Sequence, residues 1–168
     1  NLSANGQVFL VNPNGIYFGQ HATIDVGGIV ASVLDIRTDD FMAGNYVFSK
    51  ADGASGDAGV VNDGLITASE GGYVVLMGDY AHNNGIINAR LGTVALTAGN
   101  RVTMDVRADG LVSVAIEEET LSDLAGVKNS GEIIAAGGRV AMSAKVANDL
   151  VDTAINNEGL VVANSITE

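Results

Sequence analysis

One short phrase recurs through this chain and restricts its fold more than any other feature. Asn62, Gly64, Ile66 and Ala68 spell N-x-G-x-[IV]-x-A. The phrase returns at Asn83, Gly85, Ile87 and Ala89, at Asn129, Gly131, Ile133 and Ala135, and at Asn157, Gly159, Val161 and Ala163. A second phrase, G-x-V-x-[LM], follows three of these copies, at Gly72, Val74 and Leu76, at Gly92, Val94 and Leu96, and at Gly138, Val140 and Met142. A fourth copy stands alone at Gly6, Val8 and Leu10. Successive asparagines are spaced by 21, 46 and 28 positions. The 46-residue gap reads as two units, with Asp109-Gly110-Leu111 marking the intervening turn, and the 28-residue gap as one unit carrying an insertion. Short repeats of strands and turns at a near-constant period indicate a solenoid.

Within each phrase, apolar residues alternate with polar or small ones, the period-2 pattern of a strand with one buried face. Glycine at the bends supplies positive φ or close backbone approach, and asparagine tolerates the left-handed region. Such short strands lack matched two-residue hairpin loops throughout, which favours turns stacked in parallel, each about 4.8 Å above the last. Asn62, Asn83, Asn129 and Asn157 would then form an amide ladder along one bend, with Gly64, Gly85, Gly131 and Gly159 beside it. Ile66, Ile87, Ile133 and Val161 would stack as a core ladder. The predicted fold is all-β: a right-handed parallel β-helix with rungs of about 20–25 residues.

Apolar residues make up 47% of the chain but aromatics only 5%, which suits a narrow, evenly layered core. A chain of 168 residues can bury such a core as one domain, 1–168. A net charge of −12 excludes electrostatic attraction to nucleic acid or an anionic membrane. No apolar run approaches the roughly 18 residues of a spanning helix. The absence of cysteine removes disulfides, thiolate zinc sites and cysteine nucleophiles.

In chain order, Gly6 to Val11 reads as a strand, followed by Asn12-Pro13-Asn14-Gly15, which holds the only proline. Pro13 presets φ at the second position of a turn, Asn14 tolerates the next conformation, and Gly15 completes it. Ile16 to Phe18, Ile24 to Val26 and Ile29 to Ser32 read as further short strands.

The run from Asn5 to Ile16 (N-G-Q-V-F-L-V-N-P-N-G-I) resembles the N-P-N-G-I motif region of two-partner secretion exoproteins. These are the filamentous-haemagglutinin-like adhesins of Gram-negative bacteria, and the wording is nearest the high-molecular-weight adhesin branch. Gly28-Ile29-Val30-Ala31-Ser32 resembles the segment that follows in that family, and Phe41-Met42-Ala43-Gly44-Asn45-Tyr46-Val47-Phe48 its F-x-x-G-N-Y-x-F segment. The resemblance extends through the repeats to the end of the chain. Family members carry a further N-terminal portion with a cap, so the chain reads as a fragment of a longer exoprotein.

This resemblance implies the secretion domain of a large, secreted, cell-surface adhesin that passes through the periplasm. Its implied partner is the periplasmic region of an outer-membrane transporter, and folding outside, rung on rung, would help draw the remainder across. A solenoid supports that mode of folding because each rung contacts only its neighbours. The motif falls on Asn12, Pro13, Asn14, Gly15 and Ile16, which either touch the transporter or shape the turn. A buried turn asparagine is commonly a structural device, which favours shaping. Host or biofilm glycans are conceivable partners of the full-length protein.

Three stretches break the repeat. Residues 33–58 read as paired strands laid on one face, their aromatics Phe41, Tyr46 and Phe48 covering core. Residues 117–126 read as a solvated acidic loop or a one-turn helix; consecutive glutamates point in different directions and make a poor calcium site. Residues 143–154 place Val146, Leu150 and Val151 at helical spacing. His21 and His82 belong to different units and read as bend or surface histidines. The expected protein is non-enzymatic, without cofactor, metal or catalytic residues. The competing class is a carbohydrate-binding or carbohydrate-active β-helix. Asp25, Asp35, Asp105 and Asp109 are the acids to inspect, for a pair about 5 to 9.5 Å apart in a groove.

Overall fold

The structure is a computed structural model that describes residues 1–54, 57–107, 111–121, 126–147 and 154–164. The chain opens with β1 (Leu2–Val11), β2 (Ile16–Phe18) and β3 (Thr23–Ser32). An excursion follows: β4 (Asp35–Ile36), α1 (Thr38–Ala43) and β5 (Tyr46–Ser49). Regular rungs resume with β6 (Gly59–Asn62), β7 (Leu65–Ala68) and β8 (Tyr73–Gly78), then β9 (Tyr80–Asn83), β10 (Ile86–Asn88) and β11 (Thr93–Ala98). A hairpin of β12 (Arg101–Val106) and β13 (Val112–Glu118) precedes β14 (Gly126–Asn129), β15 (Glu132–Ile134) and β16 (Arg139–Ala144). The last strands are β17 (Ile155–Asn157) and β18 (Leu160–Val162).

Pairing resolves the repeat into a three-faced parallel β-helix. The first face stacks β2, β6, β9, β14 and β17. The second stacks the start of β3 with β7, β10, β15 and β18, and the third stacks the end of β3 with β8, β11 and β16. β1 runs alongside the whole of β3, with one irregularity between Ala4 and Gln7. The two strands anticipated at 24–26 and 29–32 are therefore one strand, passing through Gly27 and Gly28 without a break. A Cβ on Gly27 would sit 2.9 Å from the carbonyl oxygens of Asn5 and Gly6, so glycine lets β1 lie close.

Inside the helix, Ile24, Ile66, Ile87, Ile133 and Val161 occupy matching register positions. Ile66, Ile87 and Ile133 are fully buried, with Val74, Leu76, Val94 and Leu96 in the same cluster. Uniform aliphatic layers of this kind fill a narrow interior without bulky rings.

A second core lies outside the solenoid. β4, β5, β12 and β13 form an antiparallel sheet in the order β13-β12-β5-β4. Its Phe48, Val102, Met104 and Val112 pack on Val30, Tyr73, Val75, Met77 and Ala95 of the third face. All six residues of β8, and all six of β11, are consequently buried. The six-residue α1 buries none of its own residues and ends in a left-handed Gly44. The Phe41 ring sits 5.0 Å from Phe9 and 6.0 Å from Tyr46.

This outer sheet corrects several expectations. The 46-residue gap contains no extra rung: Asn83 pairs in register with Asn129, and Ile87 with Ile133. Its additional residues leave the solenoid as the β12–β13 hairpin, whose alternating Val102 and Met104 find a better surface outside than within. The excursion at 33–58 holds the paired strands β4 and β5 but also a helix, and it is completed by strands distant in sequence. Glu117 and Glu118 end β13 rather than opening a loop, and Thr120 bridges Val146. Ser143 and Ala144 close β16, so helical spacing in 143–154 fails at its start; a strand continuing beside β11 wins there. Asp109, Gly110, residues 122–125, Leu150 and Val151 lie outside the described residues.

Candidate functional site

Each departure from the repeat leaves the solenoid at one corner, between the third face and the first. The Asn12–Gly15 turn joins β1 to β2 there, the excursion leaves between β3 and β6, and the hairpin between β11 and β14. Only Asp79 separates β8 from β9, so that passage has no room for an excursion.

The turn divides its residues between two tasks. Asn12 Nδ2 donates to the Gly15 carbonyl at 3.0 Å, and the Asn14 amide N–H donates to Asn12 Oδ1 at 3.1 Å. The Gly15 N–H closes the turn on the Asn12 carbonyl at 3.1 Å, with Gly15 at φ 109°, a conformation that suits glycine. Ile16 points inward to the core and pairs with Val60. Asn12 is exposed, so the asparagine that shapes this turn is not a buried one. Pro13 and Asn14 are also exposed, and the Asn14 side chain has no hydrogen-bond partner among the described residues. Beyond the turn, the Tyr17 hydroxyl donates to Asp63 at 2.6 Å and Asn84 donates to the same carboxylate at 2.8 Å. The Tyr17 hydrogen bond, followed by that from Asn84, holds the Asp63 carboxyl below its ordinary range.

Asp79 is the residue that sequence reasoning missed. Its side chain is 1% exposed and accepts four hydrogen bonds from three donor groups. Lys50 Nζ reaches both oxygens at 3.1 and 2.9 Å, the Ala58 N–H donates at 2.9 Å, and Thr120 Oγ1 donates at 2.9 Å. A carboxylate has about four lone-pair positions, so this one is fully satisfied. It ties both excursions to the rung between them. A lone aspartate between a glycine and a tyrosine carries no signal of this; only its position at the single uninterrupted passage could have suggested a role. Pro13, Asn14, Lys50, Asp57, Ala58 and Asp79 line a cavity of about 150 Å³.

The next corner, between the first and second faces, is regular. Asn62 Nδ2 donates to Asn83 Oδ1, Asn83 Nδ2 to Asn129 Oδ1, and Asn129 Nδ2 to Asn157 Oδ1, each at 2.8 Å. The first three asparagines are fully buried. Gly64, Gly85, Gly131 and Gly159 stack beside them without positive φ. What they supply is space, since a Cβ on Gly85, Gly131 or Gly159 would collide with the glycine carbonyl of the rung before it.

The described acids inspected for catalysis, Asp25, Asp35 and Asp105, are dispersed. Asp25 lies on the second face opposite Thr67. Asp35 shares a register position with Arg101 through Ser49, and Asp105 is four residues further along β12. Four residues of strand span about 13 Å, beyond the reach of a carboxylate pair. His21 is exposed. The His82 ring lies tilted against Tyr80, centroids 5.0 Å apart, and burial, then the nearby Lys128, lowers its pKa. Among the described residues no group of three or more histidine, cysteine or acidic side chains could hold a metal ion. No helix among them is long and apolar enough to cross a membrane.

The fold is thus a parallel β-helix with its described irregular segments gathered at one corner, one of them a shaped N-P-N-G turn. The family model of the TPS (two-partner secretion) secretion domain matches residues 1–167, and the chain belongs to that family. It is 33% identical to a heme/hemopexin-binding protein of Haemophilus influenzae, over 99% of this chain and 19% of that protein. Against the heme/hemopexin-binding protein of H. influenzae strain ATCC 51907 it is 36% identical, over 88% of this chain and 16% of the relative. The chain therefore spans less than a fifth of these relatives. The crystal structure of the HMW1 secretion domain from H. influenzae superposes with a TM-score of 0.78 at 33% identity, covering 96% of this chain and 40% of that one.

Proposed function

We propose that this chain acts without catalysis, as the part of a cell-surface exoprotein that its outer-membrane transporter recognises from the periplasmic side. The observation that carries this reading is the turn at 12–16. Asn12 and Gly15 fix its shape, while Pro13 and Asn14, whose side chain has no hydrogen-bond partner among the described residues, stand exposed at the corner where the fold is irregular. Asn12, Gly15 and Ile16 then shape the element, and Pro13 and Asn14 present it. The ladders support a second part of the role. Each new rung finds donors, acceptors and an apolar layer already in place, so folding propagates along the exoprotein as it emerges.

The test is export of the exoprotein by cells that also express the transporter. Asn14→Ala should lower the exported amount at least fivefold, with the intracellular level and the β-sheet spectrum unchanged. Undiminished export of both Asn14→Ala and Pro13→Ala would remove the turn from recognition.

A further inference from the structure

We infer that Asn14 is a site of spontaneous deamidation that folding leaves open, whereas folding closes the same chemistry at Asn84. Asparagine is a chemically labile residue, and most so before glycine, where no Cβ shields the following nitrogen. The chain holds three Asn-Gly steps, at Asn5-Gly6, Asn14-Gly15 and Asn84-Gly85. An unfolded chain exposes all three. The folded structure sorts them.

The reaction needs only water. The Gly15 nitrogen, losing its proton, bonds to the Asn14 side-chain carbonyl carbon. The bond from that carbon to the side-chain nitrogen breaks, and ammonia leaves a cyclic imide behind. Water then opens either C–N bond of the ring. One opening gives aspartate in the original backbone; the other gives isoaspartate, in which the chain runs through the side-chain carbon. Both products place a carboxylate in the turn. Isoaspartate also lengthens the path from Pro13 to Gly15 and so misplaces the bond that closes the turn. For the ring to form, the backbone at the attacking nitrogen must be free to rotate and the side-chain amide free to approach it.

At Asn84 both freedoms are removed. The Gly85 N–H donates to the Asn62 carbonyl at 2.9 Å, and Asn84 Nδ2 donates to Asp63 at 2.8 Å. Gly85 packs so closely on Gly64 that an added Cβ would strike its carbonyl oxygen. Freeing this step means parting two rungs and the asparagine ladder beside them. Asn5 lies in the extended backbone of β1, which directs the glycine nitrogen away from the side-chain carbonyl. Asn14 is different. Its side chain is exposed and has no hydrogen-bond partner among the described residues. The attacking nitrogen is held by one bond, from the Gly15 N–H to the Asn12 carbonyl at 3.1 Å. The two side-chain bonds of Asn12 stay within the turn, so it can open without disturbing a rung.

The experiment follows both amides by peptide mass mapping, with the chain incubated at mildly alkaline pH either folded or held unfolded in urea. In urea the two steps should convert at rates within twofold of each other. Folding should slow Asn84 at least a hundredfold, because a rung must open, and Asn14 less than tenfold. Asp63→Ala should speed Asn84 at least threefold in the folded chain and leave Asn14 unchanged; an unchanged Asn84 would overturn the part given to that hydrogen bond. Equal protection of the two sites in the folded chain would overturn the contrast between them. A folded chain that keeps its Asn14 amide while the unfolded chain loses it would overturn the site itself. Neither readout involves the transporter, so recognition at the turn is tested separately.

Discussion

The first face of the solenoid is bounded by two corners of opposite character. Where it meets the second face, four asparagines and four glycines repeat one geometry, rung after rung. Where it meets the third face, four passages differ among the described residues: a tight turn, an excursion with a helix, a single aspartate, and a hairpin. The strands between these corners are only three or four residues long. The regular corner is free of individuality because any Cβ on its stacked glycines would strike the neighbouring rung. At the irregular corner the close contacts differ from passage to passage, Gly59 against the Tyr80 ring and Gly126 against the Ala154 carbonyl, so no single geometry is imposed and variation accumulates there.

The contrast predicts that damage at the two corners will spread differently. The largest effect belongs to Asn83→Ala. It strands the Asn62 amide donor and the Asn129 carbonyl in a dry interior, and each unsatisfied group costs about 1–3 kcal/mol. Denaturant unfolding should show a loss of about 3–5 kcal/mol in one cooperative transition. A loss below about 1 kcal/mol would mean that the ladder decorates the bend without holding it.

Phe48→Ala should come next, removing a fully buried ring from the outer core; such truncations cost about 3–5 kcal/mol. Here the damage should stay local. Hydrogen exchange should show β5, β12 and β13 losing protection while β7, β10 and β15 keep theirs. Uniform loss across both groups would show that the outer sheet and the solenoid are one folding unit.

The smallest effect sharpens the boundary between the cores. The Tyr73 hydroxyl is buried in the outer core without a hydrogen-bond partner, and burial pushes its pKa up to about 12. Tyr73→Phe should leave stability unchanged or raise it by up to about 1 kcal/mol, because an unsatisfied group is removed. The folded state holds this proton more tightly than the unfolded chain, whose tyrosine releases it near pH 10. Its contribution is therefore present below pH 10 and is lost as pH rises toward 12. The parent chain should lose more stability than Tyr73→Phe over that interval, and equal losses would contradict the assignment.

The regular corner was legible because its physics is periodic: one residue type at one spacing performs one task four times. The turn at 12–16 was legible for a different reason, since proline, asparagine and glycine each carry a local conformational bias. The outer sheet was hidden because β5 and β12 pair across more than fifty positions, and nothing repeats to announce them. One trace was present. Tyr73-Val74-Val75-Leu76-Met77 is an unbroken apolar run, the mark of a strand covered on both faces, whereas Asn62 to Ala68 alternates. Reading the shorter pattern G-x-V-x-L within that run concealed the longer one. Asp79 was illegible in principle, because its partners at Lys50, Ala58 and Thr120 converge only in three dimensions.

The pairing of Tyr46 with Met104 and of Ser49 with Arg101 also sets a timetable. In a chain delivered through a pore from one end, those segments arrive more than fifty residues apart. Until the later one appears, Phe48 has no partner strand on its β12 side, and the outward side chains of β8 lie bare to whatever is nearby. The inner rungs can close as they come, but the outer sheet must wait. A half-delivered molecule is thus adhesive on one flank and finished on the others, and a stall during delivery would expose that flank for as long as the stall lasts.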